Sequence, residues 1–216
     1  MNTKIRGVIF DMDGVLIDAR EWHYNALNQV LTFFGIPISR EKHLGCYDGL
    51  PTRDKLLLLS QETGLPIALH SFINEMKQHY TQELINQHCY PVFQHQYALS
   101  RLRHEGFKLA VASNSICHSI EVMLERAKLL SYLDFFMSNE DVKHGKPDPE
   151  IYIKAMTRME ITPRECVIVE DSPHGVQAAR DAGAHVMVVS DPSVVTYDSV
   201  NKFILNAEES MVCLHG

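Results

Sequence analysis

The sequence has no apolar run approaching the roughly 20 residues that cross a bilayer, so no helical membrane span is expected. Basic residues are in the minority, with 20 Lys and Arg against 27 Asp and Glu and a net charge of −7. Such a balance offers no broad basic face, which argues against nucleic acid or an anionic membrane as partner. A small anionic substrate needs only a local positive site and stays open. The five cysteines are odd in number and include no CxxC pair. They read as reduced thiols, and the expected compartment is the cytoplasm. The 12 histidines are scattered, and His88–Cys89 and Cys213–His215 lack a matching second half. Surface histidines are therefore a simpler reading than a zinc site. The single tryptophan, Trp22, reads as packing in a helical segment rather than as a substrate platform. Asp11 and Asp13 interrupt the first apolar run, so no signal peptide is expected there. There is no internal repeat and no low-complexity stretch.

The chain of 216 residues, 45% hydrophobic and 22% charged, suits one large globular domain or one domain with a smaller insert. Val8–Phe10, Lys108–Ala112, "CVIVED" (166–171) and "HVMVV" (185–189) read as strands, Leu133–Met137 as a short one and Phe203–Leu205 as an edge strand. Helices between them are marked by Ile116, Ile120, Met123, Leu124, Ala127 and Leu130, and by Ile151, Tyr152, Ala155, Met156 and Met159 after Pro149. Ser172 and Pro173 read as N-cap and first residue of a further helix that Gly183 stops. This alternation implies a mainly parallel sheet with helices on both faces.

Residues 20 to about 90 break the pattern, with three helical stripes and no strand signal. The first carries Trp22, Ala26, Leu27, Val30, Leu31 and Phe34 and stops at Gly35 and Pro37. The second holds Leu56–Leu59 with Thr52 as cap, and the third carries Leu69, Phe72, Ile73, Met76, Tyr80 and Leu84. The expected division is an α/β core over 1–18 and 92–216, with an all-helical insert over 19–91.

In open parallel sheets, ligands bind beyond the carboxyl ends of the strands. Three expected strands end in polar residues: Asp11-Met12-Asp13-Gly14, Ser113-Asn114-Ser115 and Glu170-Asp171-Ser172. "HGKPDPE" adds Lys146 in a loop before a helix. Four carboxylates, one lysine and two hydroxyls at one edge suit a hard cation and a phosphate. Asp11, Asp171 and a carbonyl near Asp13 are oxygen ligands of the kind magnesium takes, and the cation would offset the repulsion within the acid pair. Amides following Ser113, at a helix start, would favour an anion. One carboxylate beside a metal-bound phosphoryl group can serve as nucleophile, and another two residues on can protonate the leaving oxygen and then activate water.

"DMDGVL", "ASNS", "GKPDPE" and "VEDS", in this order, resemble the four motifs of the haloacid dehalogenase superfamily. The likeness covers nearly the whole chain, and the helical insert resembles the small cap of the β-phosphoglucomutase and phosphoglycolate phosphatase branch. It implies a Rossmann-like parallel core with an inserted helical cap domain. It implies Asp11 as nucleophile, Asp13 as general acid/base, and Ser113, Asn114 and Lys146 as binders of the phosphoryl group, with Lys146 also pairing with the acids. Magnesium would be held by Asp11, Asp13 and Asp171, with Glu170 in the coordination shell or supporting it. Family members that cleave carbon–halogen or carbon–phosphorus bonds generally lack an aspartate at the position of Asp13, so phosphate-ester chemistry is favoured.

"DAREWH" and "YDGLPTRDKL" are similar to the mutase hinge and cap loop, which brings in His23, Gly49 and Asp54. The mutase's cap cations have only displaced counterparts in Arg53 and Lys77, which otherwise read as solvated residues; His23 otherwise reads as a packing or surface histidine. Ala19 replaces a hinge hydroxyl residue, and Ile116 and Cys117 replace polar residues. The expectation is thus a magnesium-dependent, monomeric phosphatase of a small phosphorylated metabolite, a sugar phosphate by preference, with a phosphomutase as alternative. A non-catalytic binding protein on the same fold is the remote third.

Overall fold

The computed structural model describes residues 4–213. Its sheet consists of β1 (Gly7–Phe10), β2 (Lys108–Ala112), β3 (Phe135–Met137), β4 (Cys166–Glu170) and β5 (His185–Val188). The order is β3-β2-β1-β4-β5, and every pairing is parallel. All four β1 residues are buried, as the unbroken apolar run demands of a central strand covered on both faces. Gly7 permits a close approach at its start, since a Cβ there would lie 2.6 Å from Ile161 Cδ1.

The helices are α1 (Arg20–Phe33), a single turn α2 (Arg40–Lys42), α3 (Thr52–Thr63), α4 (His70–His88), α5 (Phe93–His104), α6 (Cys117–Arg126), α7 (Glu150–Arg158), α8 (Pro173–Asp181) and α9 (Tyr197–Cys213). The chain divides into two compact units, one of residues up to Asp18 and from Tyr90 onward, the other Ala19–Cys89. The first holds the sheet. Ile9, Ala110 and Ile168 pack there against Ile151, Tyr152, Ala155 and Met156 of α7 and Ala178 and Ala179 of α8. Strand alternation turns Val8 and Phe10 to the opposite face, where they are buried too. Among the described residues no helix is long and apolar enough to cross a membrane, and Cys46, Cys89, Cys117 and Cys166 form no disulfide.

The second unit is helical throughout its regular structure. Leu27, Val30 and Leu31 of α1, Leu56 and Leu59 of α3 and Ile73 of α4 share a core with Ile38 and Tyr47. Asn28 fixes the turn after α1 by accepting from the Ile38 amide at 2.8 Å and donating to its carbonyl at 2.7 Å. α3 begins at Thr52 itself, with Pro51 in the cap position and no side-chain cap.

Besides the Thr52 cap, four expectations are corrected. Phe203–Leu205 is not an edge strand but part of α9. Val200, Ile204 and Ala207 recur at helical spacing and are buried, and Thr196 and Ser199 exchange side-chain-to-backbone hydrogen bonds at the helix start. The buried row of α4 is Ile73, Lys77, Thr81 and Ile85, an i, i+4 line, while Phe72 is exposed. Lys77 can lie in that row because its ammonium has a partner, His23 Nδ1 at 3.2 Å, so it is buried rather than solvated. Leu130 falls beyond α6, in a 3-10 turn.

Candidate active site

The strand register builds the site. Phe10 is level with Val111 on one side and Val169 on the other, so the next step along the sheet aligns Asp11, Ala112 and Glu170. The Asp11 amide still donates to the Val169 carbonyl at 2.9 Å, which carries the ladder one residue past β1. Lys146 reaches these three residues with its three protons. Its Nζ donates to Asp11 Oδ1 at 2.6 Å, to the Ala112 carbonyl at 2.8 Å and to Glu170 Oε1 at 2.7 Å.

Both Asp11 and Lys146 are buried. Burial pulls the ammonium down, but the attraction of Asp11 and Glu170 outweighs it and keeps Lys146 charged. Burial, opposed by Lys146 and reinforced by Glu170, Asp171 and Asp13, pushes Asp11 well above the ordinary carboxylate range. One lysine does not balance this many acids. Asp11, Glu170 and Asp171 each offer an oxygen within 4.8 Å of the others, the only such group among the described residues. An all-oxygen, strongly anionic donor set of this kind fits a hard divalent cation. The side chain of Asp13 is not in that group.

Glu170, fully buried, is held on both edges. Oε1 accepts from Lys146 and from the Tyr152 hydroxyl at 2.6 Å; Oε2 accepts from the Asp171 and Ser172 amides at 3.0 and 3.3 Å. Burial, then Glu170 and Asp11, push the Tyr152 hydroxyl well above its ordinary range, so it stays a donor. Gly175 makes room for this carboxylate, because a Cβ there would lie 1.8 Å from Oε1. Asn114 clasps the Lys146 backbone, accepting from its amide at 3.0 Å and donating to its carbonyl at 3.2 Å.

Asp13 lies on a tight turn in which the Leu16 and Ile17 amides donate to the Met12 carbonyl and the Gly14 amide to the Ile17 carbonyl. Gly14 has φ 90°, the left-handed region that a side chain would strain. Asp13 Oδ2 accepts from Ser113 Oγ at 3.3 Å and from Ser115 Oγ at 2.9 Å. The first amide of α6, that of Cys117, donates to Glu140 Oε2 at 2.6 Å.

Asp11, Asp13, Ser113, Asn114, Lys146, Glu170 and Asp171 thus gather at one sheet edge. The structure adds Tyr152, Ser115 and the Ala112 carbonyl. On sequence alone Tyr152 reads as helix packing, and Ser115 as one member of the Ser113-Asn114-Ser115 strand end. In the helical unit, His23 pairs with Lys77, Gly49 turns with φ 75°, and Arg53 is exposed on α3. Lys55, two residues on from Arg53, is buried. No sequence signal separated it from an ordinary surface lysine.

The sequence pattern of the family described as haloacid dehalogenase-like hydrolase matches residues 8–189, from β1 through β5. The chain belongs to this family. Among relatives of this hydrolase, a phosphorylated carbohydrates phosphatase of Thermotoga maritima is 33% identical over 182 residues, 83% of this chain and 82% of the relative. A fructose-1-phosphate phosphatase of Escherichia coli is 27% identical, over 85% of this chain and 95% of its own. The hydrolase also superposes on β-phosphoglucomutase from Clostridium difficile with a TM-score of 0.81, covering 94% of this chain and 98% of that one. At 21% identity that likeness concerns the fold.

Proposed function

We propose that this hydrolase is a magnesium-dependent phosphatase of small phosphorylated carbohydrates that works through an aspartyl phosphate on Asp11. The observation that carries the reading is the alignment of Asp11 with Lys146, Glu170 and Asp171, a buried anionic cluster with one cation at its centre. Magnesium held by Asp11, Asp171 and the Asp13 carbonyl, with Glu170 beside it, would neutralise phosphoryl oxygens and favour attack by an anion.

Lys146 keeps Asp11 Oδ1 in place and its charge compensated. An Asp11 carboxylate oxygen attacks phosphorus as the bond to the substrate's bridging oxygen breaks, and Asp13 delivers a proton to that oxygen. Asp13 then takes a proton from water, the water oxygen attacks phosphorus, and the bond to Asp11 breaks to release phosphate. Ser113 and the Asn114 backbone amide bind the phosphoryl oxygens, since the Ser115 and Cys117 amides are engaged with Ser113 Oγ and Glu140. The Asn114 side chain supports the Lys146 loop in place of the direct phosphoryl contact expected of it.

Hydrolysis is favoured over intramolecular transfer on two grounds. The names of the relatives above describe phosphatases. A mutase must also grip a second phosphate with an aimed cation, whereas Arg53 is exposed and Lys77 is engaged with His23. His23, Gly49 and Arg53 retain a substrate-binding role in this proposal, secondary to the core residues.

Purified protein given hexose and pentose monophosphates is expected to release inorganic phosphate with magnesium and to stop on chelation. Bisphosphate-dependent interconversion of glucose 1- and 6-phosphate, lost in Arg53→Ala, would instead establish a mutase. Absence of turnover on any phosphomonoester would leave a binding protein.

A further inference from the structure

Ser113 carries one hydroxyl proton and has two uses for it. In the structure it donates to Asp13 Oδ2 over 3.3 Å, a long bond, and under the proposed function it must donate to a phosphoryl oxygen. When it turns to the phosphoryl group, Asp13 loses that donor. Ser115 remains, at 2.9 Å from the same Oδ2.

The Ser115 hydroxyl is aimed by its own backbone. The Ser115 amide donates to Ser113 Oγ at 3.1 Å, and its carbonyl accepts from the Asn139 amide at 3.2 Å. Asn139 Nδ2 also donates to the Asn114 carbonyl at 2.8 Å, so the loop after β3 secures the segment at two successive residues. A hydroxyl fixed in this way costs little further ordering when it orients a partner.

We propose that Ser115 is the positioning residue for the general acid/base, holding Asp13 by Oδ2 so that the proton it transfers is carried on Oδ1. The inference rests on the role proposed above for Asp13. In the first step the Oδ1 proton passes to the leaving oxygen; in the second, Oδ1 receives a proton from water, and Ser115 keeps its own proton throughout. Ser115 never touches phosphorus, and its effect is confined to substrates whose leaving group needs protonation.

That confinement gives the test. kcat/KM is measured with magnesium for fructose 1-phosphate, which leaves as an alkoxide unless protonated, and for p-nitrophenyl phosphate, whose leaving group is stable as an anion. Ser115→Ala is expected to lower the sugar-to-aryl ratio by about tenfold or more, within the ~10²–10⁴ attributed to acid–base catalysis as a whole. Ser115→Cys, close in size but a weak donor, should behave like alanine, and Ser115→Thr should restore the ratio. In an Asp13→Asn background the Ser115→Ala change should no longer move the ratio, since the two residues act as one unit. Equal losses on both substrates, or the same fall in the Asp13→Asn background, would overturn the inference. A wild-type ratio in Asp13→Asn alone would contradict the acid/base role itself.

Discussion

Gly175 is tied to the site by a steric argument that its distance in sequence conceals. Its missing Cβ is the space that Glu170 Oε1 occupies, and Glu170 cannot yield because Lys146, Tyr152 and two amides fix it. Gly175→Ala is therefore expected to cost at least ~2 kcal/mol in a denaturant titration, as overpacking against a rigid neighbour does, and to lower turnover with it. Tyr152→Phe removes one charge-assisted hydrogen bond from Glu170 and should cost about 1–3 kcal/mol, with Lys146 still in place. Unchanged unfolding midpoints in both variants would mean that Glu170 is less tightly held than the bonds indicate. Asp11, Asp13, Glu170 and Asp171 were legible because each stands at a strand end in a short polar motif, and Lys146 because it sits in a polar loop motif just before a helix. Tyr152 was not, because an aromatic residue on an apolar helix stripe reads as packing and its hydroxyl contact is made across 18 residues. Lys55 and Lys77 were hidden by the general rule that lysine stays in water.

At the scale of elements, the parallel strands were readable from apolar runs, and the helices from their spacing. The exceptions have local causes. Phe203-Ile204-Leu205 has the look of a strand, and only the wider spacing of Val200, Ile204 and Ala207 marks a helix. In the helical unit, His43 stands in the π-helical turn His43–Tyr47, buried against the Tyr24 ring with centroids 4.9 Å apart. Burial, with the Lys55 charge adding to it, lowers the imidazole to about 4. The folded value lies below the ordinary 6.5, so the fold holds the ring neutral while the unfolded chain takes up a proton below pH 6.5. The associated stability is present above pH 6.5 and is lost as pH falls from there towards 4, by up to about 3 kcal/mol. Thermal unfolding across that range should fall less steeply in His43→Phe than in the wild-type protein. Parallel pH profiles would remove His43 from the acid response.

For the molecule as a whole, the register of one central strand accounts for the site. Once Phe10 is level with Val111 and Val169, the Asp11 and Glu170 carboxylates and the Ala112 carbonyl come to one point, and a single lysine from the loop before α7 can serve all three. Magnesium binding to this native arrangement should raise the unfolding temperature by mass action. Asp171→Ala should abolish most of that rise and Glu170→Gln less of it; an undiminished rise in Asp171→Ala would place the cation elsewhere. The central claim is the covalent step on Asp11, and trapping it is the most direct measurement. Turnover of a sugar phosphate bearing a radiolabelled phosphoryl group, quenched in acid and mapped by peptide, should leave a hydroxylamine-sensitive label on the peptide containing Asp11. Asp11→Asn should carry no label and show no turnover. A label on Ser113, or full turnover in Asp11→Asn, would contradict the account.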